Sequence, residues 1–301
     1  MALRDYLVGE VAEDFTDGLL TRREALRRLG LLGLGASAAS ALLSACAQAS
    51  PGGVSTPTSA APAAADPPGQ AQSVGRGQEI RFAGPAGELQ GAWAVPTGDR
   101  PGAALLVIHE NRGLTEHFYD LVGRLAGTGY AALCVDLLSA LGGTAVLTDP
   151  AQAPTELAAK PLNTLLADLR AGIDELGRRV PGAKVGVVGF CFGGGMTWQL
   201  LQAGETRVAA AVPFYGPTPD QPDFQQATAA VLAVYAGLDA RVNAGRESAE
   251  AALRAAGLTH EIRTFEGADH AFFNDTGARY NAGAAGQAYT AMVDWFGRYL
   301  T

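Results

Sequence analysis

Cysteine is scarce. The three that occur, Cys46, Cys134 and Cys191, form neither a metal-binding spacing nor a paired disulfide framework, so each needs its own explanation. His109, His117 and His260 show no ligand spacing either, and no metal or other cofactor is expected. Basic charge is also in short supply: the net charge is −8, and beyond residue 78 there are 16 Lys and Arg against 23 Asp and Glu, leaving −7. That balance gives no footing for nucleic acid. No period of about 20–50 residues repeats, which removes solenoids and propellers. Long hydrophobic runs are missing as well. The apolar stretch Leu29 to Ala45 is rich in Ala, Gly and Ser, and it is shorter than the roughly 20 residues that a stable membrane-spanning helix needs. What remains is a 301-residue chain with 48 % hydrophobic content, enough for one large α/β domain plus appendages.

The centre of that domain is Val187-Val188-Gly189-Phe190-Cys191-Phe192-Gly193-Gly194-Gly195. The apolar run from Lys184 to Val188 predicts a buried parallel strand, and Met196 to Leu201 predicts a helix. Cys191 sits on the turn between them. Gly-x-Cys-x-Gly is the thiol form of the nucleophile elbow, a strained turn that lifts a nucleophile above the sheet. Strand and helix pass so close there that a Cβ at Gly189 or Gly193 is expected to clash. The helix that follows points its amides and the positive end of its dipole at the sulfur. The plain alternative is a structural cysteine beside a glycine-rich turn.

Around this elbow the chain alternates strands and helices. Strands are expected at 79–82, 87–95, 103–109, 131–135, 184–188, 208–214, 230–236 and 261–265. Helices are expected at 116–126, 161–179, 247–256 and 284–299, and 137–160 reads as a long irregular lid or exposed loop. Such alternation implies a mostly parallel sheet with helices on both faces. Ligands then collect at the carboxyl ends of the strands, and four of those ends carry reactive groups: Glu110, Cys191, Asp239 and His270. Nucleophile, acid and histidine follow the chain order of an α/β-hydrolase triad. Each has a bland reading beside the catalytic one, Asp239 as a turn cap, Glu110 as a surface carboxylate and His270 as a loop histidine. Cys134, inside an apolar strand, reads as core.

The globular part, about Glu79 to Leu300, resembles the dienelactone hydrolase family, thiol members of the α/β-hydrolase superfamily. The resemblance rests on Gly189-Phe190-Cys191-Phe192-Gly193-Gly194, Gly237-Leu238-Asp239, Gly267-Ala268-Asp269-His270-Ala271-Phe272, and Glu110 after its strand. It implies Cys191 as nucleophile, His270 as base, Asp239 as the group orienting His270, and Glu110 as partner of the resting thiol. Chemistry supports that assignment, since a free thiol is only slightly ionised at neutral pH and needs a neighbouring base. The backbone N–H groups of Phe192 and Asn111 are the expected oxyanion donors. The family's arginine four residues after the histidine is Asn274 here, and 137–160 contains no arginine. Arg112 is the candidate substitute, and Tyr215 either lines the pocket or packs beside it.

The first 78 residues read as addressing. Arg22-Arg23 precedes the apolar stretch in the layout of a twin-arginine export signal, and Leu43-Ser44-Ala45-Cys46 resembles a bacterial lipobox. That resemblance implies cleavage before Cys46 and a lipid on its thiol, the chain's one expected membrane contact. The division is therefore 1–45 leader, 46–78 flexible Ala/Pro/Ser/Gly-rich tether, and 79–301 hydrolase domain, acting outside the bacterial cytoplasmic membrane. Residues 2–20 alternate acids with apolar groups and read as a helical extension of the leader. The expected activity is hydrolysis of a small ester or lactone. A carboxylesterase of another substrate class and a non-catalytic envelope ligand-binding protein are the rivals. The sequence leaves the oligomeric state open.

Overall fold

In this computed structural model, residues 3–49, 66–98 and 101–301 are described. Eight strands form one sheet: β1 (Gln78–Gly84), β2 (Gly87–Ala94), β3 (Ala103–Ile108), β4 (Ala131–Val135), β5 (Lys184–Phe190), β6 (Val208–Phe214), β7 (Ala230–Ala236) and β8 (His260–Phe265). Their order across the sheet is β1-β2-β4-β3-β5-β6-β7-β8. β1 and β2 form an antiparallel hairpin, β2 pairs antiparallel with β4, and every later pairing is parallel. This is the mostly parallel sheet expected from the alternation of strands and helices, in the α/β-hydrolase arrangement that the family resemblance implies.

The continuous apolar composition of β3, β4 and β7 follows from cover on both faces, and all their residues are buried. β8, at the edge, is half-buried along its length. The covering helices are α4 (Glu116–Ala126), α6 (Leu162–Arg179), α7 (Phe192–Gln202), α9 (Arg246–Ala255) and α10 (Ala282–Tyr299). In α6, Leu165, Leu169, Ile173 and Leu176 recur at helical spacing and are buried. A short turn of helix, α8 (Ala240–Asn243), follows β7.

Residues 137–160 are more ordered than expected. Three 3₁₀ turns lead into α5 (Ala153–Ala159), and the Asp136 carboxylate accepts bonds from the N–H groups of Leu138 and Thr144 and from the Thr144 hydroxyl.

The N-terminal region differs more. Residues 3–49 form α1 (Leu3–Thr16), α2 (Arg22–Leu31) and α3 (Ala36–Ala49), which pack on one another. Tyr6, Leu7, Ala25, Leu29 and Leu43 are fully buried in a core continuous with that of the sheet domain. α1 also lies against α5, and Arg27 of α2 pairs with Asp149. Arg22 and Arg23 are exposed, and Cys46 is half-buried on α3. None of the helices among the described residues is long and apolar enough to cross a membrane. Much of the expected tether, 50–65, lies outside the described residues. Its end does not hang free: the N–H groups of Val74 and Gly77 bond to carbonyls of Gly123 and Tyr119 on α4.

Candidate active site

β5 delivers Cys191 to the carboxyl edge of the sheet, where the backbone turns abruptly into α7. Cys191 has φ 54° and ψ −117°, a region that L residues avoid at a cost of about 1–3 kcal/mol. The flanking glycines make the turn possible by their missing side chains. A Cβ on Gly189 would lie 2.0 Å from the Gly193 carbonyl oxygen, and one on Gly193 would lie 2.2 Å from that of Ile108. The thiol is thereby held at the N-terminal end of α7, facing the loops after β7 and β8.

Those loops supply Asp239 and His270. Asp239 caps α8 by accepting the Val242 N–H through Oδ1 at 3.0 Å, and its Oδ2 takes the Nδ1–H of His270 at 2.5 Å. The turn-cap role and the histidine-orienting role therefore coexist in one carboxylate. That bond turns Nε2 of His270 away from Asp239, and a ring nitrogen of His270 lies within 4.8 Å of Sγ. Asp269 accepts the His270 backbone N–H at 2.6 Å, as a turn former does.

Asn111 lines a cavity of about 310 Å³ together with Cys191, His270 and Glu110. Phe192 begins α7 directly after the thiol. Arg112 is exposed at the same cavity. Tyr215 is buried at φ 34°, its ring 5.2 Å from that of His270 and its hydroxyl 3.5 Å from Oε1 of Glu110.

Glu110 lies near enough for its charge to act on the thiol, but its hydrogen bonds go elsewhere. Asn274 donates to its Oε2 at 2.7 Å and Tyr215 to its Oε1, so its carboxylate is turned to those partners. The carboxylate hydrogen-bonded to the sulfur belongs instead to Glu10 of α1, at 3.8 Å. Glu10 Oε2 also lies 3.3 Å from Nε2 of His270, and the Tyr6 hydroxyl is 3.2 Å from the sulfur and 3.5 Å from Nε2. Arg241, two residues after Asp239, bonds Glu10 Oε1 and reaches Glu13 at 2.9 Å.

Tyr6, Glu10 and Arg241 were absent from the sequence-based site. The one local signal for Tyr6 and Glu10 is the four-residue step from Tyr6 to Glu10 to Asp14, which puts those residues on one face of a helix; Arg241 has none.

The electrostatics follow from this crowding. Burial raises the Cys191 thiol, and the Glu10 charge adds to that; His270 opposes both without cancelling them. Burial alone would lower His270, but Glu10, the sulfur and Asp239 outweigh it and carry the imidazole well above its ordinary value. Burial would raise Asp239, yet its bond to His270 brings it below the usual range. His109, just below the site, is fixed as a neutral imidazole: Nδ1–H donates to the Glu110 carbonyl at 2.7 Å, Nε2 accepts the Leu137 N–H at 3.1 Å, and burial lowers its pKa. Glu10, Cys191 and His270 also bring oxygen, sulfur and nitrogen donors within 4.8 Å of one another, a set that zinc accepts by type. The ion pair between Glu10 and His270 accounts for the same arrangement.

The model of the dienelactone hydrolase family matches residues 89–300. The chain belongs to the dienelactone hydrolase family. A protein of Methylorubrum extorquens named "Putative carboxymethylenebutenolidase" is 31% identical over 235 residues, covering 73% of this chain and 80% of its own. One of the same name from Escherichia coli O157:H7 is 33% identical over 214 residues, covering 67% of this chain and 79% of its own. Among solved structures, a "Putative Dienelactone Hydrolase" from Klebsiella pneumoniae superposes with a TM-score of 0.67 at 30% identity, covering 74% of this chain and 98% of that one. The chain is therefore a hydrolase-family member whose α1, α2 and α3 lie outside the family match.

Proposed function

We propose that this dienelactone hydrolase family member cleaves small carboxylic esters or lactones through Cys191, His270 and Asp239. The supporting observation is Cys191 on a positive-φ elbow, opposite a histidine whose other ring nitrogen is bonded to Asp239 at 2.5 Å. In this reading His270 takes the thiol proton and the sulfur attacks the ester carbonyl carbon. The oxyanion that forms is held by the N–H groups of Phe192 and Asn111, each donor worth about 3 kcal/mol of barrier. The C–O bond then breaks and the leaving oxygen takes the proton from His270. Water attacks the thioester, His270 removes its proton, and the C–S bond breaks to release the acid and restore the thiol. Asp239 holds the tautomer that makes both transfers possible.

The substrate class is left at esters and lactones, because Asn274 spends its amide on Glu110 and offers no guanidinium to a substrate carboxylate. The envelope location is part of the same proposal: exposed Arg22-Arg23 is available to an export receptor, and cleavage before Cys46 would leave a lipid-anchored enzyme. The test is hydrolysis of p-nitrophenyl acetate and a lactone panel by protein cut before Cys46. Cys191→Ala is expected to abolish turnover and Asp239→Asn to slow it roughly 10²–10⁴-fold. Full activity in Cys191→Ala would refute the reading and favour a pocket that only binds.

A further inference from the structure

We infer that α1 is an internal plug of the active site, occupying the substrate position through Tyr6 and Glu10, so that the chain carrying its first 20 residues is latent. The inference rests on Cys191 and His270 being the reacting pair, and it concerns what controls access to them.

Position is the first argument. An attacking sulfur needs a carbonyl carbon at about 3–3.5 Å. That space holds the Tyr6 hydroxyl, 3.2 Å from Sγ and 3.5 Å from Nε2 of His270. With α1 seated, Tyr6 is fully buried and Cys191 is 2 % exposed. The cavity that reaches Cys191 and His270 is walled on one side by Glu10 and Asp14 of α1.

Charge is the second. The Glu10 carboxylate spans the site: Oε2 faces both His270 and the thiol, while Oε1 takes Arg241. It stands where an anionic reactant would and acts on both partners against catalysis. A carboxylate at Nε2 favours the imidazolium, which cannot accept the thiol proton, and its charge disfavours the thiolate.

The third is a dedicated seat. Arg241 bonds Glu10 and Glu13, and its guanidinium stacks 4.6 Å from the centre of the Tyr6 ring. Its Nε and Nη1 are buried without partners among the described residues, so the guanidinium has donors beyond those that Glu10 and Glu13 take. Gly9 keeps the helix close enough, since a Cβ there would lie 3.0 Å from Cδ of Arg241. One turn further on, Arg279 pairs with Asp14 at 2.9 Å and Asp17 at 2.5 Å. Four acids on one side of a helix and its end thus meet two arginines of the hydrolase domain. This accounts for the alternation of acids and apolar groups before the arginine pair, which a leader by itself does not require. Cleavage before Cys46 would remove the plug with the leader, coupling activation to processing.

The test uses the full chain with Cys46→Ser and a specific protease site inserted between residues 50 and 65, kept in chelator. The rate of iodoacetamide alkylation of Cys191 and the hydrolysis of p-nitrophenyl acetate are read before and after the cut and separation of the N-terminal piece. A second sample is the uncut Tyr6→Ala/Glu10→Ala chain, and a third is cut enzyme with a synthetic peptide of residues 1–20 added back. An open state populated at about 0.1–10 % predicts alkylation roughly 10- to 1,000-fold faster after release, and also faster in the double variant. The peptide should reverse the gain, and a peptide with Glu10→Ala should not. Unchanged or slower alkylation in both the cut and the double-variant proteins overturns the plug. Ester hydrolysis by the uncut chain at the rate of the cut one overturns it too, while leaving the proposed activity standing. Faster alkylation with no hydrolysis of any ester or lactone upholds the plug and removes the proposed activity instead.

Discussion

At the residue scale, the elbow depends on two missing side chains and one retained strain. A Cβ on Gly193 would meet the backbone oxygens of Ile108 and His109 at 2.2 and 2.7 Å, and backbone cannot step aside as a flexible side chain can. Gly193→Ala should therefore destabilise the fold by about 3 kcal/mol or more, read as a lower urea midpoint at unchanged slope. Asn274 gives a milder case. Its amide is the 2.7 Å donor to the buried Glu110 carboxylate, and Asn274→Leu should cost about 1–3 kcal/mol by leaving that oxygen unpaired.

The elbow was legible in the sequence because its cause is local: glycines on both sides of a cysteine between a β-branched run and a helix. The direction of Glu110 was not, because the family pattern names the carboxylate and not the amide that captures it. Nothing near residue 10 in sequence announces a partner at 191, so Glu10 could be found only after folding.

At the scale of elements, the strands and helices of the hydrolase domain were readable because burial on both faces forces continuous apolar runs on β3, β4 and β7. α1 was readable as a helix and not as a neighbour of the site. Its docking should depend on pH in a definite sense. His270 faces Glu10 and Tyr6 from α1, Cys191 from the elbow, Asp239 from the β7–α8 turn and Tyr215 after β6. Its pKa is raised against the pull of burial, and burial also raises Glu13 beside Arg241 and Asp14 beside Arg279.

A histidine raised on docking contributes stability in full below its ordinary value of about 6.5, and that contribution is lost as pH climbs through the raised value. Raised carboxyls act with the same sign, since they too bind protons more tightly when docked. Hydrogen-exchange protection of residues 3–16, corrected for intrinsic rates, should therefore fall as pH rises above about 6.5 while that of β3 and β5 holds. A rise in protection over that range would contradict the assignment of the buried cluster.

At the scale of the whole molecule, two readings of the N-terminal region meet. The sequence orders an arginine pair, an apolar stretch and a small-residue cysteine site as an exported lipoprotein does, whereas the structure folds 3–49 onto the domain as three helices. Both hold if the helices belong to the precursor and leave with it. Expressed in a bacterium with the matching export pathway, the protein should appear in the envelope membrane with lipid on Cys46. Cys46→Ala should leave it uncleaved, and its thiol and ester reactivity should stay low. Finding wild-type protein in the cytosol with residues 1–45 attached and fully active would break the link between processing and activity.

In the proposed mechanism Cys191 carries the acyl group. Protein cut before Cys46 can be mixed with p-nitrophenyl acetate, quenched in acid within one turnover and digested for mass spectrometry. An acetyl thioester on the peptide containing Cys191, preceded by a burst of p-nitrophenol and lengthened in lifetime by His270→Ala, is the result expected. Hydrolysis that proceeds with no acetyl on Cys191, and at the same rate in Cys191→Ala, would contradict it.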